Sequence, residues 1–421
     1  MDPGYAAHTT WALCAHDGLI EVVQGSMDQA YAQAARYGAP VLDAYGEREK
    51  SYDEPPMAMA ANPPHLPSFS SSPKVSLART GLPKVDLARL LRKYPLGAGD
   101  SPTAICDGLL KAHSELVGHF PTKRLQLEKW IPITIWQTPQ GMQEALLATN
   151  IKMQRPALLD DGRLAVAHGL ALLPHAMAYK MAGLGDGSLC LWSTPQCRSM
   201  CLVFSGQNKA DPYNQGLKLA KTKALLVSPE AFCRILLGAI HGYTCGVRCN
   251  AEEPHVRLNV YSDIPWELVF PGMFEFFDDV MFYDYTKVPG RKTPDNYDLT
   301  FSVSGTPENI AHAKKEVDRG QKICVVFLLP PGGSFPATFA VGGDEEYRLD
   351  VIDGNANDVR PLDPAPSVVG LTWKPPFPRK HAATLRTKGF DTFVVPCVVD
   401  QDGNVIAAET PRYTAAGDSE E

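Results

Sequence analysis

Three cysteines stand within twelve residues of this chain, in "CLWSTPQCRSMC", with the spacing C-x6-C-x3-C at Cys190, Cys197 and Cys201. Thiolates are metal ligands, and three of them leave one position open on a tetrahedral zinc or one iron open on a cubane cluster. A closed structural zinc would take a fourth ligand, for which His175, Cys233, Cys245 and Cys249 are candidates. The bland reading is three inert buried thiols, because cysteine is among the most buried residue types. Spacing alone leaves metal and inert thiols equally open.

A second set of polar residues lies where apolar runs end. "HVRLNVYS" runs into "YSDIPWE", with Ser262 and Asp263. "VMFYDYT" runs into Lys287, with Asp284 just before it. "YDLTFSVSG" ends on Ser302 and Ser304. If the first of these runs stays extended, Arg257, Asn259, Tyr261 and Asp263 fall on one face. Each has an ordinary alternative: Asp263 as a helix cap, Ser304 before Gly305 as a turn, Asn259 as a partner for backbone. Asp284, Lys287, Arg291 and Lys292 point to a charged ligand. Lys218, Lys221 and Lys223 in "KLAKTK" read more readily as a solvated helix face than as a phosphate track.

These residues need elements to hold them. From residue 164 on, apolar runs alternate with helical stretches. The runs are "LAVAHGLALLP", "HVRLNVYS", "VMFYDYT", "YDLTFSVSG", "KICVVFLL" and "VVGLTWK"; the helices include "PYNQGLKLAKTKALL", "SPEAFCRILLGAIHGY", "PWELVFPGMFEFFDD" and "TPENIAHAKKEVDRG". Apolar strands alternating with helices predict an α/β fold with a parallel sheet, here a partial (β/α) barrel of about six parallel strands; a doubly wound open sheet is the rival. In either case ligands meet the C-terminal ends of the strands, where the cysteines and the polar residues converge.

Around this region the chain predicts a small N-terminal module over 1–50, with a helix in "SMDQAYAQAARYG". A Pro/Ser-rich linker follows over 51–80, then one domain over 81–421 that closes with a hairpin turning at Asp402-Gly403. With 44% hydrophobic and 21% charged residues the chain can build an ordinary core, and a net charge of −7 argues against a globally basic nucleic-acid protein. Ten cysteines in 421 residues are too sparse for a disulfide scaffold. An acid at Asp2 and no long apolar run predict neither a signal peptide nor a membrane span. The expectation is a cytoplasmic protein with no membrane partner. No G-x-x-x-x-G-K-[ST] phosphate loop and no H-E-x-x-H is present, "GGSFPATFAVGG" reads as a loop, and "DGNANDVRPLDP", with Asp353, Asp358 and Asp363, resembles a calcium loop only loosely.

The blocks "LWSTPQCRSMCLVFSGQ", "LAKTK", "VRLNVYSDIPWE", "FYDYTK", "YDLTFSVSG", "VIDGNANDVRPLDP" and "VVGLTWK" resemble the phage gene product 88 family over about residues 145 to 375. That resemblance implies a phage or mobile-element protein, at work in the host cytoplasm, and carries no activity. A weaker resemblance is to radical S-adenosylmethionine enzymes, which carry three cysteines in the loop after the first strand of a partial barrel. It implies a [4Fe–4S] cluster on Cys190, Cys197 and Cys201, with S-adenosylmethionine on the open iron. It also implies cofactor contacts from Asn259, Ser262 and Asp263 after the second strand, and from Ser302 and Ser304 after the fourth. The spacing departs from the common C-x3-C-x2-C. In a phage the implied substrate is a modified nucleotide or DNA base, such as an amino-acid adduct of thymidine awaiting rearrangement. The alternative is a zinc-stabilised DNA-binding or replication accessory protein without catalysis; a host-interaction scaffold without metal is the third reading.

Overall fold

The computed structural model describes residues 10–15, 18–24, 41–42, 77, 80–96, 107–117, 139–175, 178–179, 187–205, 212–374 and 393–407. Near the N-terminus, β1 (Thr10–Ala15), β2 (Gly18–Gln24) and β3 (Val41–Leu42) form an antiparallel sheet of their own, in the order β2-β1-β3. The helix expected in "SMDQAYAQAARYG" and most of the expected linker lie outside the described residues.

The rest is built on a 12-stranded, mostly parallel sheet. Its strands include β4 (Leu147–Ala148), β5 (Ala157–Leu158), β6 (Leu164–Leu170), β7 (Glu253–Arg257), β8 (Met281–Thr286), β9 (Tyr297–Ser302) and β10 (Lys322–Leu328). Further along come β11 (Thr338–Ala340), β12 (Arg348–Asp353), β13 (Val368–Thr372), β14 (Val394–Val399) and β15 (Val405–Ala407). From β6 to β10 each strand pairs in parallel with the next. Then β13 pairs with β10 and β12 with β13, also in parallel. The six expected strands are all present, and β12 and β14 add parallel partners that the sequence reading did not count. Antiparallel strands border the sheet: β4 and β5 on β6, β11 on β12. Among the described residues no ladder joins β11–β12 to β4–β6, so the sheet is not hydrogen-bonded into a closed barrel.

The helices precede these strands or lie between them. They are α1 (Leu87–Lys93), α2 (Asp107–Val117), α3 (Pro139–Leu146), α4 (Pro195–Ser199), α5 (Pro212–Val227), α6 (Pro229–Cys249), α7 (Trp266–Val269), α8 (Gly272–Phe276) and α9 (Pro307–Asp318). The single long stretch expected over "PWELVFPGMFEFFDD" is broken into α7 and α8 at Phe270 and Pro271, and Pro271 lacks an N–H to donate. Local signals fix the other ends. Thr306 caps α9 by accepting from Asn309 N at 3.2 Å, and Gly320 follows that helix at φ +77°, a conformation that glycine adopts without a Cβ penalty.

Side-chain alternation divides the strands between two environments. Val256, Phe282 and Tyr297 join α6–α8 in the main core, where Phe274 packs edge-on to Phe282 at 5.0 Å and stacks on Tyr297 at 4.8 Å. Phe301, Ile323, Val325 and Phe327 join Ala313 of α9 on the same face. Each such fully buried aromatic or branched side chain contributes about 1.5–3 kcal/mol. The opposite face is polar. It carries Arg257 from β7, Tyr283, Tyr285 and then Lys287 along β8, Thr300 and Ser302 from β9, and Lys322 and Cys324 from β10. Met200, Trp373 and Val394 pack beside Val326 and Leu328 of that face. The predicted hairpin is present as β14–β15, with Gly403 at φ +84° in its turn. "GGSFPATFAVGG", expected as a loop, holds the short strand β11.

Candidate functional site at the C-terminal edge of the sheet

The cysteine loop is tied to the sheet by backbone. After β6 the chain reaches Cys190, whose backbone pairs in parallel with Asp263, beyond β7. Asp263 N donates to Leu189 O at 2.7 Å. The Cys190 thiol accepts from His175 N at 3.2 Å and donates to Tyr261 O at 3.6 Å. Thr194 caps the short α4 by accepting from Cys197 N at 3.1 Å, with Pro195 at its first position, which fixes Cys197 one turn before Cys201. The three thiols feel one another. Burial raises the Cys190 thiol well above its usual range, and Cys201 and Cys197 push it further. Burial and then Cys197 push Cys201 up to about 12, against the opposing pull of Lys287 and Lys218. The thiols therefore sit at the expected edge, within electrostatic reach of each other and of two lysines. Among the described residues, no three His, Cys, Asp or Glu side chains converge on a common point as a metal site. The other candidate ligands divide: Cys233 is buried in the helical core, and Cys245 and Cys249 are exposed on α6.

The polar strand ends form a hydrogen-bonded lattice. Asp284 Oδ1 accepts from Asn259 N at 2.6 Å, and its Oδ2 accepts from Asn259 Nδ2 at 2.9 Å and from Tyr297 Oη at 2.6 Å. Asn259 Oδ1 accepts from Ser262 Oγ at 2.8 Å and from Ile264 N at 2.9 Å. Asp263 accepts from Thr286 Oγ1 and from Lys287 N, each at 2.8 Å. It therefore binds the end of β8 rather than capping α7, whose N-terminus has no side-chain cap. Arg291 grips Glu267 through Nε at 3.0 Å and one terminal nitrogen at 2.6 Å, and reaches Asp263 at 3.4 Å. Burial raises the Asp284 carboxyl to about 7, against the donors that favour its ionised form.

The single face expected for Arg257, Asn259, Tyr261 and Asp263 does not exist. β7 ends at Arg257, so the alternation stops there. Asn259 turns to Asp284 on the helix-covered side, while Arg257 reaches Asp358 at 3.0 Å on the polar side. The Asn259 amide also bridges Ile264 N and O, which folds the chain into a compact turn. Ser302 Oγ accepts from Lys287 Nζ at 2.8 Å. Ser304 is fully buried and donates its backbone N to Asn309 Oδ1 at 2.6 Å, but its hydroxyl has no partner among the described residues.

Beneath the cysteine loop the polar face holds ion pairs that sequence reasoning missed, although it had named Arg257, Lys287, Asp358 and Asp363 singly. Asp358 is bound by Lys152 at 2.8 Å, by Arg257 at 3.0 Å and by Tyr283 Oη at 3.1 Å. Burial opposes its ionisation, yet Arg257 and Lys152 outweigh it and hold the carboxyl at about 2. Arg360 pairs with Asp363 at 2.9 Å, so the loop read as faintly calcium-like is an ion-pairing loop. Arg257 lies over the Tyr285 ring at 4.7 Å. Tyr285 and Thr300 are register partners on β8 and β9, and both hydroxyls are buried without a partner among the described residues. Lys287 stays protonated above the usual lysine range: burial opposes it, and Cys197, Asp263 and Cys324 outweigh burial. The only sequence signal for this assembly was the polar residues at alternate positions of "FYDYTK" and "LTFS".

Arg291 and two of the three lysines of α5, Lys218 and Lys221, do not behave as read from sequence. The Arg291 side chain is buried and consumed by Glu267. Lys218 and Lys221, expected on a solvated face, are buried. Among the described residues no helix is long and apolar enough to cross a membrane. No curated protein and no solved structure matches the chain. One family does: the pattern described as Gene product 88 covers residues 145–387, from the end of α3 past β13. That span holds the cysteine loop, the polar lattice and the parallel strands from β6 to β13, and takes in more than half of the chain, which therefore belongs to the phage gene product 88 family.

Proposed function

We propose that this protein is an enzyme of the radical S-adenosylmethionine type, with an iron–sulfur cluster on Cys190, Cys197 and Cys201. The observation that supports the reading most is the placement of the three cysteines. They follow the first parallel strand and are tied by Asp263 to the end of the second, at the edge where β/α enzymes hold their ligands. Helices α6–α9 on one face and a polar opposite face are also the arrangement of a barrel wall, although the sheet is open.

The donor set fits in kind. Three thiols are gathered, and Lys287 and Lys218 act on them with the positive charge that favours thiolates. The Cys190 sulfur is held as a hydrogen-bonded thiol, and among the described residues the three sulfurs do not converge as a metal site, so taking up iron requires the loop to draw in. When bound, the cluster would supply the electron that cleaves the sulfonium. The chain's own contribution is to position. Asn259 and Asp263 lock the β7 and β8 ends together, and Ser262 supports Asn259. Ser302 fixes the Lys287 ammonium, and the unpartnered Ser304 hydroxyl is the group with capacity left for a ligand. The substrate we propose is a modified nucleotide or DNA base, on the ground of the phage family.

Iron and sulfide analysis after anaerobic purification, with the visible spectrum, tests this. The expected result is about four irons and four sulfides per chain, lost on Cys→Ala at all three positions. S-adenosylmethionine cleavage, and turnover of modified over plain DNA, should then follow. Zinc without iron would overturn the proposal in favour of a zinc-stabilised, salt-dependent DNA-binding protein.

A further inference from the structure

Away from the cysteine loop, the outer face of α6 brings together two side chains that bind metals. His241 and Cys245 stand four residues apart, one helical turn, and both are exposed. The Cys245 sulfur lies 3.7 Å from His241 Nε2 and 3.9 Å from His241 Nδ1. A zinc ion held at about 2.3 Å by a thiolate and at about 2.0–2.1 Å by an imidazole keeps those two atoms about 3.6 Å apart in tetrahedral geometry. The pair is therefore spaced as two ligands of one ion are. Positions i and i+4 of a helix are also the spacing at which two side chains share a zinc. Without an ion the contact is only that of a weak thiol donor.

The orientation of α6 is fixed from its other side. The Tyr243 hydroxyl reaches Val166 O on β6 at 2.9 Å and His255 O on β7 at 3.3 Å, and Ile240, Thr244 and Val247 are buried. His241 and Cys245 therefore face away from the sheet. The surface beside them is open: Gly242, Gly246 and Cys249 are exposed, and no atom lies within 4 Å of the place where a Cβ on Gly246 would stand. Glycine weakens a helix interior relative to alanine, and nothing in the described chain uses the room it leaves at Gly246. Among the described residues no third His, Cys, Asp or Glu joins the pair as a metal site. Cys249 stands two turns from His241, about 12 Å along the helix axis.

We propose that His241 and Cys245 are half of a zinc site that closes in a dimer, the same pair from a second copy of the chain supplying the other two ligands. A closed structural zinc takes four protein ligands, and two cysteines with two histidines are one of its usual sets. One chain supplies half of that set on an exposed face, so the site is incomplete without the second copy. A two-fold axis through the ion completes it, because an isologous contact presents the same patch from both sides. The room beside Gly246 lets the second helix come close with no side chain between the backbones. Zinc takes each cysteine as its thiolate, so binding releases one proton from each thiol. The site uses none of the residues of the cysteine loop and stands whether or not that loop holds iron.

The test is sedimentation velocity of the full chain, cleared of metal and kept in a phosphine reductant that prevents disulfide dimers, with and without zinc chloride. Zinc should convert monomer to dimer, and EDTA should reverse the change. His241→Ala and Cys245→Ala should each raise the zinc required by about tenfold or more, since losing a ligand costs at least what losing its outer partners does. Cys245→His keeps a ligand in place and should still dimerise with zinc. Cys197→Ala removes a thiol of the loop and should dimerise as the parent does. Dimers that depend on Cys197 and not on Cys245 would assign the zinc to the loop and overturn the α6 site. Zinc binding that leaves the chain monomeric, dimers indifferent to zinc and to His241→Ala, or dependence on Cys249 in place of His241 would each overturn it as well.

Discussion

The two faces of β8 bury charge in different ways. On the helix side, Asp284 accepts three hydrogen bonds, Asp263 accepts from Thr286 and the Lys287 backbone, and Arg291 is clasped by Glu267. On the other side, Asp358 is ion-paired with Lys152 and Arg257, but Tyr285 Oη, Thr300 Oγ1 and Arg257 Nε are buried without hydrogen-bond partners among the described residues. Buried polar groups in folded proteins are nearly all paired. A saturated lattice is what a fold needs to hold its strand ends. Orphaned groups on the face below the cysteine loop are what a ligand or ordered water would satisfy. The contrast therefore separates the residues that build the site from those with capacity to bind.

The largest effects should come from the saturated side and from Asp358. Asp284→Ala strands Asn259 N, Asn259 Nδ2 and the Tyr297 hydroxyl together, and should cost about 3–5 kcal/mol in urea unfolding. Asp358→Ala leaves Arg257 and Lys152 buried without their carboxylate and belongs in the same range of about 3–5 kcal/mol. If either variant unfolds like the parent, the lattice is not what holds that face.

The two carboxyls also differ in the sign of their pH dependence. Asp284 is raised to about 7, so the native state holds its proton where the unfolded chain has lost it. Its contribution to stability should decline as pH rises from about 4 to 7, and Asp284→Asn should flatten that part of the profile. Asp358, held at about 2, contributes stability that is fully present above the ordinary carboxylate range and is lost as pH falls from about 4 toward 2. Unfolding free energies measured from pH 2 to 8 in the parent and both variants would resolve the two slopes. Matching slopes in parent and variant would mean that the named carboxyl is not the titrating group.

A smaller effect tests the contrast directly through two tyrosines. Tyr297→Phe removes a donor from Asp284 and should cost about 1–3 kcal/mol, the penalty for leaving a charged buried group short of a partner. Tyr285→Phe and Thr300→Val remove hydroxyls that have no partner among the described residues, and should be neutral within about 0.5 kcal/mol or slightly stabilising. A loss at Tyr285 equal to that at Tyr297 would mean that water already satisfies the orphaned face.

Much of the architecture was readable because period and capping are local signals. "KICVVFLL" and "VVGLTWK" are apolar on both faces, as buried parallel strands are, and Thr306 and Gly320 mark the two ends of α9. Strand pairing beyond the simple progression was not readable, because β12 inserts beside β13 through a long excursion with no periodic signal. At the site, the cysteine loop and its edge were legible from spacing and order. The partners were not: Lys152 and Asp358 lie 206 residues apart in the chain and meet only through the sheet. The burial of Lys218 and Lys221 was equally hidden, since "KLAKTK" has the composition of a solvated helix and nothing in it reports what covers it.

The smallest perturbation, chemical rather than mutational, probes the cysteines themselves. A thiol reacts as its thiolate, so both exposure and pKa set its rate. Cys245 and Cys249 are exposed, whereas Cys201 is pushed up to about 12 by burial and Cys197, and Cys190 is raised well above the usual thiol range by burial and tied to His175 N and Tyr261 O. In metal-free protein near pH 7.5, iodoacetamide should therefore modify Cys245 and Cys249 well before Cys190 and Cys201, as read by peptide mass spectrometry over time. Early modification of Cys190 or Cys201 would show that the loop opens readily and that its thiols reach water. That outcome would weaken the distinction between the locked edge and the open face, because the loop above them would then belong to the adaptable part of the molecule.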